Sequence, residues 1–161
     1  MIGTCAELTI EENLSLAATR GKKRGLSLSI NKQLREIFKE RLSKLNMGLE
    51  NRLNDKVSLL SGGQRQVLSL VMASLSPSKI LLLDEHTAAL DPKMAKLVLE
   101  LTKKITSEHK LTALMITHSM SQALEYGTRT IMMYHGEIIK DMSNDERMAM
   151  DPASLLKFFD L

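Results

Sequence analysis

Tryptophan is absent from this sequence, aromatic residues make up only 3% of its 161 positions, and there is a single cysteine. Each scarcity excludes something. With so few aromatics, stacking on nucleic-acid bases is excluded as a main activity, and the core falls to Leu, Ile, Val and the 11 methionines. Cys5 alone cannot close an intrachain disulfide, and no Cys/His grouping has zinc spacing, so a cytosolic chain without a structural metal is expected. Long hydrophobic runs are missing too. The longest, from Val67 to Leu75, is interrupted by Ser69 and Ser74 and falls well short of the roughly 20 residues that span a bilayer. Glu7, Glu11 and Glu12 precede any basic cluster, the wrong order for a signal peptide. A strong charge of one sign is also lacking. The formal net charge is +3, and the densest basic run, Lys22-Lys23-Arg24, reads as a solvated loop between helices. The sequon Asn13-Leu14-Ser15 is not expected to be used in a cytosolic chain.

What is present is the makeup of one ordinary globular domain, with 43% hydrophobic and 25% charged residues. Two regions with different grammar divide near residue 58. The first is helical: Thr9 and Glu12 form a capping-box signal ahead of Leu14 and Leu16, and Gly21 ends that run. A second helix is expected from Asn31, with Leu34, Ile37, Phe38, Leu42 and Leu45 at spacings of three and four, stopping at Gly48. From Lys79 short apolar strands alternate with helices. Ile80 to Leu83 reads as a strand buried on both faces; Pro92 opens a helix to about Ser107; Leu111 to Thr117 is a strand, Met120 to Glu125 a helix and Thr130 to Tyr134 a strand. That alternation predicts a parallel α/β sheet. His135-Gly136 is a turn into Glu137 to Lys140, and a helix from Pro152 to Phe159 closes the chain.

Two motifs carry chemistry. Asp84-Glu85 follows the apolar strand, where open α/β sheets bind ligands beyond their strand ends. Two adjacent carboxylates there can divide labour, Asp84 holding Mg²⁺ through its water shell and Glu85 orienting and deprotonating a water for attack on a γ-phosphate; taken alone, the pair also reads as a polar strand end exposed to solvent. Ser61-Gly62-Gly63-Gln64 is a capping box that starts a helix running to Leu75, and its two glycines let phosphates approach the helix N-terminus.

Leu60 to Gln66 (LSGGQRQ), Ile80 to Pro92 (ILLLDEHTAALDP) and Ile116 to Ser119 (ITHS) resemble the signature motif, the Walker B segment with its D-loop, and the H-loop of ATP-binding cassette (ABC) ATPases, in order and at suitable spacing. The resemblance implies a fold and a set of roles. The fold is α/β: part of a P-loop NTPase (RecA-like) core with a parallel sheet, plus the ABC helical subdomain. Residues 1–58 would hold the end of the Q-loop region and the helical subdomain that contacts a permease, and residues 59–161 the rear half of the core. Ser61, Gly62 and Gly63 would touch the γ-phosphate of ATP on the opposite subunit of a head-to-tail dimer, with Gln64 completing the motif. Asp84 would hold Mg²⁺ through water, Glu85 would be the catalytic base, His118 would sense the γ-phosphate, and Asp91 would belong to the D-loop at the dimer interface. His86 stands where most members of the family have proline. The wording is similar to ATPase subunits of bacterial importers of amino acids or related small solutes, held by a permease on the cytoplasmic face of the plasma membrane.

One part of the family pattern has no match. No stretch of the sequence reads G-x-x-x-x-G-K-[S/T]; the single Gly-Lys pair, Gly21-Lys22, is followed by Lys23 and has no strand before it. The resemblance therefore implies a form lacking the N-terminal β-subdomain and the phosphate-loop strand. In the family fold that strand lies between those matching Leu111 to Thr117 and Thr130 to Tyr134, so two strand edges should face a gap and stability should be marginal. These 161 residues alone are expected not to turn over ATP. Another reading makes the chain a non-enzymatic partner that lends its signature motif to a complete ATPase. A chromosome-maintenance (SMC-type) ATPase head would need long heptad coiled coils before the signature, and the roughly 50 residues there are too short and too interrupted.

Overall fold

The computed structural model describes residues 3–21, 31–76 and 78–159. The basic run Lys22-Lys23-Arg24 lies outside them. Seven α-helices and four strands follow among the described residues in the order α1 (Ile10–Ala18), α2 (Lys32–Ser43), α3 (Gly62–Ser74), β1 (Ile80–Asp84), α4 (Pro92–Glu108), β2 (Thr112–Ile116), α5 (Met120–Glu125), β3 (Thr130–Tyr134), β4 (Glu137–Met142), α6 (Asn144–Met148) and α7 (Pro152–Leu156), with two 3₁₀ turns, Leu49–Asn51 and Val57–Leu59, between α2 and α3.

Two compact units are present. One comprises Met1–Leu81 with Ala89–Thr112, the other Leu82–Ala88 with Ala113–Leu161. The first is a helical core. Thr9 caps α1 through a closed box, its hydroxyl accepting the Glu12 N–H while Glu12 Oε2 accepts the Thr9 N–H at 2.7 Å. Asn31 caps α2 by accepting the Leu34 N–H. Periodic apolar residues then close over one another: Ile10 and Leu14 of α1, Phe38 and Leu42 of α2, Val67 and Leu68 of α3, and Val98 of α4 are completely buried in one cluster. Helix α2 ends at Ser43, a turn before Gly48, so Leu45 packs from the connecting segment. Asn13 is buried within α1, its amide donating to Cys5 O and Thr9 O and its Oδ1 accepting the Cys5 N–H. That bonding ties the segment before α1 to the helix and leaves the sequon no access to solvent.

In the second unit β3 and β4 form an antiparallel hairpin from Thr130↔Met142 to Tyr134↔Glu137. The two-residue turn, His135 and Gly136, has positive φ at both positions (47° and 83°), the geometry that matches strand twist. The register slips between Met132 and Met133, so Ile139 has no opposite partner. Met132, Met142 and Leu155 make a small core there.

Strands β1 and β2 pair with each other. Thr112 N–H donates to Lys79 O at one end and Glu85 N–H to Ile116 O at the other, so the two run parallel, as the strand-helix alternation predicts. No ladder joins β2 to β3; the strands fall into two separate two-stranded sheets among the described residues. Expected burial on both faces of β1 is not observed. Its residues alternate: Leu81 and Leu83 are buried, whereas Ile80 and Leu82 are exposed. The bonding sets Leu82 beside Leu114, so Ile80, Leu82, Leu114 and Ile116 share one face of the strand pair, and all four are exposed. A continuous apolar run gives a strand two apolar faces, but only packing decides whether both are covered.

Candidate functional site

Glu85 leaves β1 with a φ of 44°, a left-handed conformation uncommon for a residue with a side chain. Two backbone bonds hold it there: its N–H donates to Ile116 O and its carbonyl accepts the Ala88 N–H, both at 3.0 Å. This bend aims the carboxylate at the end of β2. Glu85 Oε1 lies 2.5 Å from His118 Nε2, a charge-assisted pair when the imidazole carries a proton on that nitrogen. Both side chains remain open to solvent, His118 at 84% and Glu85 at 42% exposure. Asp84, the last residue of β1, is exposed beside them. The two parallel strands thus deliver three of the expected residues to one end of a sheet, two of them in contact.

The segment after Glu85 is pinned separately. Thr87 is buried, and its hydroxyl donates to Gln122 Oε1 at 3.2 Å. The same oxygen accepts the Thr117 hydroxyl at 3.0 Å, and Thr117 Oγ1 accepts the Ser119 N–H at 3.1 Å. Burial holds the His86 imidazole below the ordinary histidine value of 6.5.

The remaining expected residues belong to the other compact unit. Ser61 caps α3, its hydroxyl accepting the Gln64 N–H while Gln64 Oε1 accepts the Ser61 N–H at 3.1 Å. The Gln64 side chain is therefore engaged in the cap. The two glycines differ in what they face. A side chain at Gly62 would meet nothing within 4 Å, whereas a Cβ at Gly63 would come within 2.5 Å of the Met94 methyl. Gly63 allows α3 to approach α4, and Gly62 leaves the helix end open to solvent. Asp91 caps α4, its Oδ1 accepting the Lys93 and Met94 N–H groups at 3.1 Å with Pro92 at the first helical position.

Among the described residues no group of three or more His, Cys, Asp and Glu could hold a metal by itself. Asp84 offers a single open carboxylate. Such a donor set fits Mg²⁺, which takes one or two carboxylates and completes its octahedron with water and substrate phosphates. Gln122 and Thr87 were not among the residues that the sequence motifs single out. Ser119-x-x-Gln122 is readable in the sequence, but as a capping box.

The family profile described as ABC transporter matches residues 3–88, more than half of the chain. The chain is 44% identical over 159 residues to a tyrosine transport ATP-binding protein of Clostridioides difficile (strain R20291), covering 99% of this chain and 63% of that protein. To a methionine import ATP-binding protein of Oceanobacillus iheyensis it is 38% identical over 135 residues, 83% of this chain and 37% of the relative. The chain thus spans less than two thirds of the length of either relative. Its fold matches that of an ATP-binding cassette solved as a dimer in a post-hydrolysis state with ADP and Pi, at a TM-score of 0.72 and 28% identity, over 89% of this chain and 60% of that one. With the profile spanning more than half of the sequence, this chain belongs to the ABC transporter family.

Proposed function

We propose that the chain carries the signature and Walker B portions of the ATP-binding subunit of a bacterial importer, one that takes up an amino acid or a related small solute. The observation that carries this reading is the Glu85–His118 pair at 2.5 Å, seated at the end of parallel strands with Asp84 beside it. The relatives named for tyrosine transport and methionine import support the solute class. Among the described residues no helix is long and apolar enough to cross a membrane, so a permease would supply the membrane path and hold the subunit at its cytoplasmic face.

In this reading Glu85 takes the proton of a water aligned with the γ-phosphate of ATP, and His118 donates from Nε2 to that phosphate. Without nucleotide the two side chains satisfy each other. A γ-phosphate competing for the Nε2 proton would release the Glu85 carboxylate toward the water. Asp84 would hold Mg²⁺, which neutralises charge on the phosphates when bound. Ser61 and the open N–H groups of Gly62 and Gly63 would face the ATP of a second subunit in a head-to-tail dimer, with Asp91 in the segment that crosses to it. These 161 residues contain no lysine-bearing phosphate loop, so by themselves they would not retain ATP beside Glu85.

The unobstructed Gly62 favours a second reading, in which the chain lends its signature helix to a complete ATPase. Mixing experiments separate the two. The purified chain and a complete ATP-binding subunit, such as the clostridial relative, are assayed alone and together with Mg·ATP. The expected result is no Glu85-dependent turnover by the chain alone, and stimulation of the relative by the wild-type chain but not by Ser61→Arg. Glu85-dependent turnover by the chain alone would overturn the inactivity. Failure of the two to associate would overturn the donated-signature reading.

A further inference from the structure

Helices α1, α3 and α6 each begin with a hydroxyl residue followed three positions on by Glu or Gln, and in all three the box closes on itself. Glu12, Gln64 and Glu146 each return a side-chain oxygen to the N–H of their cap residue, at 2.7, 3.1 and 2.8 Å. Helix α5 has the same spelling, Ser119-x-x-Gln122, and only half of the box forms. Ser119 Oγ accepts the Gln122 N–H at 3.4 Å, but the Ser119 N–H turns to Thr117 Oγ1. Thr117 thereby takes over the task of the third helical residue, and the Gln122 amide is free for another.

That amide bridges two strand ends. Its Oε1 accepts the hydroxyl of Thr117, the residue before His118, and the hydroxyl of Thr87, two residues after Glu85. Both carbonyl lone pairs are used. We propose that Gln122 is a positioning residue: it fixes the Glu85 bend against the His118 loop and so sets the carboxylate-imidazole approach. It acts through Thr87 and Thr117, whose hydroxyls its Oε1 accepts. The inference rests on the reading of Glu85 and His118 as the reacting pair only for its consequence in hydrolysis; the bridge itself is a matter of geometry.

The difference between a bridge and a simple packing residue is measurable without nucleotide. In the ¹⁵N-labelled chain at pH 7.5, long-range proton-nitrogen correlation reads the His118 Nε2 signal, with Glu85→Gln supplying the signal of an unpaired imidazole. Gln122→Glu keeps an oxygen that accepts both hydroxyls and should leave His118 as in the wild type. Gln122→Met keeps the length and removes the acceptor, and should move His118 toward its position in Glu85→Gln with the other histidines unmoved. Thr87→Val, which removes one arm at nearly constant shape, should move it in the same direction by less, and reads the bridge even if Gln122→Met does not fold. A wild-type His118 signal in a folded Gln122→Met or in Thr87→Val would overturn the proposal. If those signals move as expected but Gln at the position of the complete clostridial relative that aligns with Glu85 leaves that relative's ATP turnover unchanged, the bridge stands and the reading of Glu85 as the reacting base falls.

Discussion

Gly62 and Gly63 are neighbours of one residue type with opposite local demands. At Gly63 a side chain must displace Met94, so Gly63→Val should destabilise the fold by about 1–3 kcal/mol through overpacking. Gly62 sits in open space on a helix, and Gly62→Ala should stabilise it by about 0.5–1 kcal/mol. Urea melts of both variants check the signs. In the functional reading Gly62→Ala nonetheless weakens stimulation of a complete partner, because the added methyl lies where phosphate would approach. Gain of stability with loss of stimulation separates a ligand-facing glycine from a structural one. His86 makes a second prediction at this scale. Its folded value is held below 6.5, so below pH 6.5 the unfolded chain binds a proton that the folded chain refuses. Stability should therefore be unaffected above that range and fall as pH drops from 6.5 toward the lower folded value. Denaturation midpoints at pH 7.5 and 5.5 should differ in the wild type and differ less in His86→Gln. The sequence marks position 86 as unusual, but only burial gives it this property.

Helix starts were the most legible elements, because a cap is a local event written in four residues. Thr9 with Glu12, Asn31, Ser61 with Gln64, and Pro92 after Asp91 all stand where hydroxyl, amide, carboxylate and proline chemistry place them. Ser143 with Glu146 carries the same signal, and the short helix α6 that it starts was open to the same argument. Gln122 was not legible, since the spelling of a capping box is the same whether or not the box closes. Nor was the bend at Glu85, which depends on β2 being in place to accept its N–H. The caps also titrate. Hydrogen bonds from the cap backbone hold Glu12 and Glu146 below 4.5, and the Ser154 hydroxyl and N–H hold Asp151 below 3.8. Their contribution is complete above those ordinary values and is lost as pH falls through the depressed ones, a window distinct from that of His86. Between elements the prediction is larger: Phe38 is fully buried where α2 enters the helical core, and Phe38→Ala should cost about 3–5 kcal/mol in the same melts.

At the scale of the whole molecule the balance of covered and uncovered surface decides behaviour. The helical core is closed on itself, but the face of β1 and β2 is not: Ile80, Leu82, Leu114 and Ile116 are 56%, 71%, 54% and 52% exposed. Contiguous apolar residues on a sheet face are an association liability, and unpaired strand edges add backbone donors and acceptors that invite another strand. Each two-stranded sheet has such edges among the described residues. Two weak sheets also contribute little cooperativity, since isolated strand pairs are marginal in water. The purified chain should therefore bind a hydrophobic dye in its native state, self-associate as concentration rises, and melt over a broad range at low temperature. Leu82→Lys with Ile116→Glu replaces the uncovered apolar face with charge and should reduce dye binding and association with little loss of helical signal, because neither side chain is buried. A sharp transition at high temperature in the wild-type chain, with no dye binding and a monomeric sedimentation profile, would show that this face does not control the stability of the molecule.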